Sequence, residues 1–176
     1  MTGRFAALSL SMLLAACASP PSVKTDVNPA ANFGSYRTYS WIAKAEGASP
    51  LVQQRIVDGI DAKLQAKGWR PVAANADVHV GAHVSSQQKQ SNNVAYSSAG
   101  YGWDWGGFGP SATNTVTTYE VGTLVVDMFD ARTRKAIWRG AASGTLQDDP
   151  GKMSALVQSS IDQMFAAFPP GSAAAR

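Results

Sequence analysis

The stretch "ADVHVGAHVSS", Ala76 to Ser86, decides the fold. Val78, Val80, Ala82 and Val84 occupy every second position, with His79, Gly81, His83 and Ser85 between them. A period of two puts the apolar set on one face of a strand and the polar set on the other. Valine favours that conformation because its branched Cβ packs well on a pleated surface. A helix here would instead place His79 and His83 on one face, within reach of one zinc ion. On a strand rising ~3.3 Å per residue the two rings stand about 13 Å apart. One metal with bonds of about 2 Å cannot join them. The strand reading therefore removes the zinc pattern, and neither a metal site nor a cofactor is expected.

Working outward, the segment before this strand reads as a helix. Ser49 stands at its N-cap position and Pro50 at its first turn, where a missing N–H costs nothing. Val52, Ile56, Ile60 and Leu64 form a stripe at fourfold spacing, the mark of a helix packed on one side. Lys67-Gly68 ends it with a basic last turn and a glycine, and Trp69 folds back on the core. Earlier still, "SVKTDV" and "YRTYSWI" (Tyr36 to Ile42) read as two strands around the turn chemistry of "NPAANFGS".

After the deciding strand, Gln87 to Asn93 turns polar, and "GYGWDWGGFGP" (Gly100 to Pro110) follows. "TVTTYEVGTLVVDMF" reads as a long strand, bulged or weakened at Gly122. "DARTRK" (Asp130 to Lys135) is a charged hairpin tip, and "AIWRGAASGTL" is the returning strand. A second helix starts at Asp148 or Asp149 with Pro150. It shows an apolar face of Met153, Val157, Ile161, Met164, Phe165 and Phe168, and stops at Pro169-Pro170. The expected class is α+β: an antiparallel or mixed sheet of about five strands with two helices packed on one face.

The bulk numbers fit one such domain. The chain has 176 residues, 15% charged and 45% hydrophobic, with a net charge of +3. That composition belongs neither to a disordered polyelectrolyte nor to a membrane-spanning bundle. The basic residues are scattered, so no nucleic-acid partner is expected.

Residues 1–16 carry one cation, Arg4, then a short apolar run ending in Ala15-Ala16. That run is too short to cross a hydrocarbon core, which takes about 20 residues, and it has the form of a secretory signal. Leu14-Ala15-Ala16-Cys17 resembles the bacterial lipobox. In that family the cysteine thiol receives a diacylglycerol, the signal is cut before it and the new amine is acylated. Cys17 is the chain's single cysteine, and lipidation accounts for a lone thiol in an exported protein. The expected organisation is a signal peptide over 1–16, a lipidated tether over 17–22, one domain over 23–170 and a loose tail over 171–176. Ala18 follows the cysteine. By resemblance to Gram-negative lipoproteins, a residue there other than Asp implies an outer-membrane address facing the periplasm.

"VNPAANFGSYRTYSW", the helix over 51–68, "ADVHVGAHV", the glycine-aromatic run, "GTLVVDMFDARTRKAIWRG" and the "DDPGK…FPP" ending follow in order. Together they resemble the bacterial lipoprotein family labelled domain of unknown function 4136. The resemblance covers about residues 23–170 and implies a fold and an address, but no reaction.

Reactive motifs fail on their own chemistry. No Gly-x-Ser-x-Gly occurs, and Cys17 is consumed by the anchor. "GTLQDDPGK" has a Gly-Lys pair, but Met153 stands where a phosphate-binding loop needs Ser or Thr. Gly107-x-Gly109-x-x-Ala112 lacks the helix a dinucleotide fingerprint needs. Asp104, Glu120 and Asp127 are the candidate acids for cleaving a glycan. Glu120 and Asp127 differ by an odd number of positions, so an unbroken strand sends them to opposite faces unless Gly122 bulges. Arg132, Arg134 and Lys135 form a small basic tip read as a solvated turn. Tyr96, Tyr101, Trp103, Trp105 and Phe108 offer a large aromatic area for a ligand or partner. The expectation is a non-enzymatic, membrane-anchored structural or interaction module with an envelope protein or glycan partner. A glycan-binding module using the aromatic loop, and a cell-wall glycan-active enzyme, are the alternatives.

Overall fold

The computed structural model describes residues 20–97 and 111–168; within them, side chains are described outside 93–97 and 111–114. The expected signal, Cys17 and the tail over 171–176 lie outside the described residues.

Six strands and two helices follow in the order β1 (Ser22–Val27), β2 (Thr38–Glu46), α1 (Pro50–Ala66), β3 (Arg70–Pro71), β4 (Val78–Ser97), β5 (Ser111–Asp130), β6 (Ala136–Thr145) and α2 (Pro150–Met164). The strands form one sheet ordered β1-β6-β5-β4-β2-β3. β2 runs parallel to both β3 and β4, and the remaining pairs are antiparallel, so the sheet is mixed. The sixth strand, beyond the expected five, is the two-residue β3. Its Pro71 suits the sheet edge, where no ladder N–H is needed from it.

The alternation that decided the fold is present. Val78, Val80 and Ala82 are buried, as are Leu124, Val126 and Met128 on the neighbouring strand and Trp138 and Ala142 on the next. They meet Ile56, Ile60 and Leu64 of α1 and Ile161 and Met164 of α2 in one core. Both helices therefore cover the same face. Small residues set how closely they approach: a Cβ added at Gly144 would lie 2.7 Å from Leu156 Cδ1, and one at Gly59 would lie 2.8 Å from Ile161 Cδ1. Lys63 and Asp162 join the two helices by an ion pair of 2.6 Å.

The helix ends follow their sequences with one difference. Asp149 caps α2 by accepting from the Lys152 N–H at 2.8 Å. Ser49 holds the N-cap position of α1 but makes no side-chain capping bond. At the C-terminus of α1, Gly68 N–H donates to Gln65 O and Trp69 N–H to Leu64 O. Gly68 takes a φ of +84° there, which completes a Schellman cap and turns Trp69 into the core.

One stretch is extended and one expectation is corrected in the middle of the chain. Gln87 to Asn93, read from the sequence only as polar, continues β4, which pairs with β5 residue for residue from Val78↔Asp130 to Ser97↔Ser111. That register passes through Ser86↔Gly122 without a shift, so Gly122 is not bulged. Its missing side chain instead leaves room for Leu146.

Candidate functional site

The two ends of the sheet differ in kind. Ser22, Ser143, Thr123 and Ser85 form one cross-strand row. β2 leaves β4 at Glu46↔His83, and β6 leaves β5 at Val121↔Thr145. Beyond Val121↔Thr145, where Leu146 N–H still donates to Glu120 O, β4 and β5 continue alone to Ser97 and Ser111 as a two-stranded ribbon. At about 3.3 Å per residue it extends roughly 30–35 Å from the sheet. Its described side chains are mostly exposed, with Val116 at 54%. From Ser86 to Ser97 and from Ser111 to Val121 the only charges are Lys89 and Glu120.

The opposite end is closed by aromatic packing. Phe168 meets Phe33, Trp69, Trp138 and Phe165 with ring centroids 5.3 to 5.7 Å apart, mostly edge to face. Just outside this cluster a polar cleft of about 580 Å³ opens between the β1–β2 loop, the β3–β4 loop and the β5–β6 turn. Its carboxylates are committed to the backbone. Asp77 Oδ2 accepts from the N–H groups of Arg37 and Thr38 and from the Thr38 hydroxyl, each at 2.9 Å. Asp130 Oδ1 accepts from the Thr133 N–H at 2.6 Å and its hydroxyl at 2.8 Å, while Asp130 Oδ2 takes the Tyr36 hydroxyl at 3.0 Å. These bonds hold both carboxyls below the usual carboxylate range, the Arg37 N–H contributing most to Asp77 and the Thr133 N–H most to Asp130. Burial, then the bond to Asp130, pushes the Tyr36 phenol up. The cleft's polar groups thus fasten its loops.

The sequence candidates scatter over this frame. Tyr96 lies on β4 opposite Ala112; its side chain, and Cys17, Tyr101, Trp103, Asp104, Trp105 and Phe108, lie outside the described residues. His79 and His83 both sit on the helix-free face, as a strand requires. His79 Nδ1 lies 2.9 Å from Ser40 Oγ, and His83 Nδ1 lies 3.7 Å from Glu46. Glu120 falls on the helix-bearing face with Leu124 and Val126, and Asp127 on the other, where Arg139 grips it at 2.5 and 2.9 Å. The unbroken register therefore separates the two acids. Of the basic tip, Arg132 and Lys135 line the cleft, and Arg134 takes a left-handed φ of +59° that closes the hairpin turn.

Sequence reasoning missed Asp61, Asp77 and Tyr36. Asp61 Oδ1 accepts from the Tyr39 hydroxyl at 2.8 Å and from Trp41 Nε1 at 2.9 Å, pinning α1 to β2. The turn "NADV" around Asp77 carried a usable signal, since Asn and Asp bond nearby backbone in turns. Among the described residues, no group of three or more metal-ligating side chains occurs, and no helix is long and apolar enough to cross a membrane.

Comparison with known proteins supports the architecture. The chain resembles a PDZ domain protein from Parabacteroides distasonis with a TM-score of 0.57 at 14% identity, covering 84% of this chain but only 35% of that one. It resembles the PelC dodecamer of Paraburkholderia phytofirmans with a TM-score of 0.50 at 14% identity, covering 83% of this chain and 95% of that one. At such identities the likeness is one of fold. Among curated proteins none matches the chain. The family model that matches is a domain of unknown function, DUF4136, and it spans residues 23–170, nearly the whole of the described fold. The chain belongs to the DUF4136 family.

Proposed function

We propose that this protein is a non-catalytic interaction module of the cell envelope, held through lipidated Cys17 at the periplasmic side of an outer membrane. The β4–β5 ribbon is the observation that carries this reading. It spends some twenty described residues on a projection that adds nothing to the core; it carries Tyr96 and brackets Tyr101, Trp103, Trp105 and Phe108. Long ordered projections of this kind are usually kept for contact. Placing Glu120 and Asp127 on opposite faces also weakens the paired-acid alternative.

In-cell crosslinking from the ribbon tests the reading, with and without Trp103→Ala and Trp105→Ala. One discrete crosslinked protein, lost in the double variant, is the expected result. Products unchanged by the substitutions overturn the role of the aromatic segment. Release of cell-wall fragments by the purified chain overturns the non-catalytic reading.

A further inference from the structure

The ribbon and the tether leave the sheet at the same end. β1 enters at Ser22, in the row of Ser143, Thr123 and Ser85, and runs from there toward the cleft end at Val27. The chain before Ser22 therefore starts on the side toward which β4 and β5 continue. From Cys17 to Ser22 a fully extended chain reaches at most about 18 Å. The ribbon is roughly 30–35 Å long, about twice that reach.

We infer that the ribbon lies along the surface of the bilayer that holds Cys17, with one face against the lipid headgroup layer and the other left for the protein contact proposed above. This inference rests on the lipid anchor proposed above. Turning the molecule over, with the ribbon away from the membrane, would require the tether to run back past β1. That strand alone covers about 20 Å, and the β1–β2 loop lies beyond it, so the tether is too short. Standing the ribbon upright toward the membrane would drive its tip below the level of the anchor. Open strand edges cannot enter hydrocarbon, because their N–H and C=O groups would lose all partners. A tilted sheet with the ribbon resting among the headgroups satisfies both limits. Its side chains suit that layer: Gln87, Gln90, Asn92, Thr115 and Thr117 are uncharged hydrogen-bonding groups, and Lys89 pairs across from Tyr119. Lysine and tyrosine both favour an interface, each with an apolar body and a polar end. The same tilt turns the cleft at Asp77 and Asp130 away from the lipid.

Depth labelling of the full-length lipidated chain tests this. Thr117→Cys on the ribbon and Arg132→Cys at the cleft end are both exposed positions. Thioether formation at Cys17 leaves each introduced thiol as the reactive one. Each variant is labelled with a fluorophore in vesicles of phosphatidylethanolamine and phosphatidylglycerol bearing a headgroup quencher. Quenching at position 117 roughly threefold or more above that at 132 is expected for an element resting in the interface. Equal quenching, or stronger quenching at 132, in a chain shown by mass to be lipidated overturns this inference alone. An unmodified Cys17 by mass overturns the anchor reading and this inference with it.

Discussion

The two ends of one sheet are built on opposite principles. At the cleft end, loops from three parts of the chain are locked by an aromatic cluster beneath and by Asp77 and Asp130 above. At the ribbon end, two strands carry on with, among the described residues, neighbours on neither side and no helix over them. The same backbone ladder serves both, so hydrogen bonding does not distinguish them. Apolar burial does: Phe168 is 1% exposed and Val116 is 54% exposed. The core ends where side chains stop being covered, well before the strands stop.

The comparison predicts a steep gradient in the cost of substitution. Phe168→Ala removes the hub of the aromatic cluster and should cost about 3–5 kcal/mol in denaturant unfolding, whereas Val116→Ala should cost less than about 0.5 kcal/mol. Similar losses at both sites would erase the distinction. Gly144→Ala comes next. The new methyl would press on Leu156, and overpacking of this kind costs about 1–3 kcal/mol; a melt of the variant reads it directly.

Acid should weaken the cleft end, as it should the Lys63–Asp162 pair between the helices, whose carboxyl is also depressed. The carboxyls of Asp77 and Asp130 are depressed in the folded state. Their stabilisation is therefore complete above the unfolded value of about 3.9 and is lost as pH falls through the lower folded values. Asp130→Asn should flatten the stability profile across that window, and an unchanged profile would remove Asp130 from the account. The smallest effect belongs to the ribbon. Replacing residues 90–118 by Asn-Gly, a turn that suits the flanking pair Lys89↔Tyr119, should alter unfolding free energy by less than about 0.5 kcal/mol. A large loss would mean that the projection supports the body after all.

Legibility in the sequence followed the same gradient. The strand over 78–84, both helices and the hairpin around Asp130 announced themselves because each has one dry and one wet side. Gln87 to Asn92 has water on both sides, so no alternation marks it as a strand. Its partner was readable only because "TVTTYEV" is rich in β-branched residues. β3 escaped because a two-residue strand containing proline has no pattern. The cleft escaped because Tyr36, Asp77 and Asp130 are brought together by three separate turns. The strand parity of Glu120 and Asp127 was readable; whether Gly122 interrupted it was not, since a glycine in a strand fits either a bulge or a neighbour's close approach.

Among the described residues β1 is the first strand to be synthesised, and its one partner in the sheet is β6, with Ser22 opposite Ser143. A chain emerging N-terminus first must hold that strand unmatched until more than a hundred further residues have appeared. Closing such distant contacts is slow, and an unmatched strand invites wrong associations in the interval. Completion of the sheet is therefore timed by the arrival of its last strand, which makes early termination anywhere before residue 136 equivalent to leaving the first strand with nothing to join.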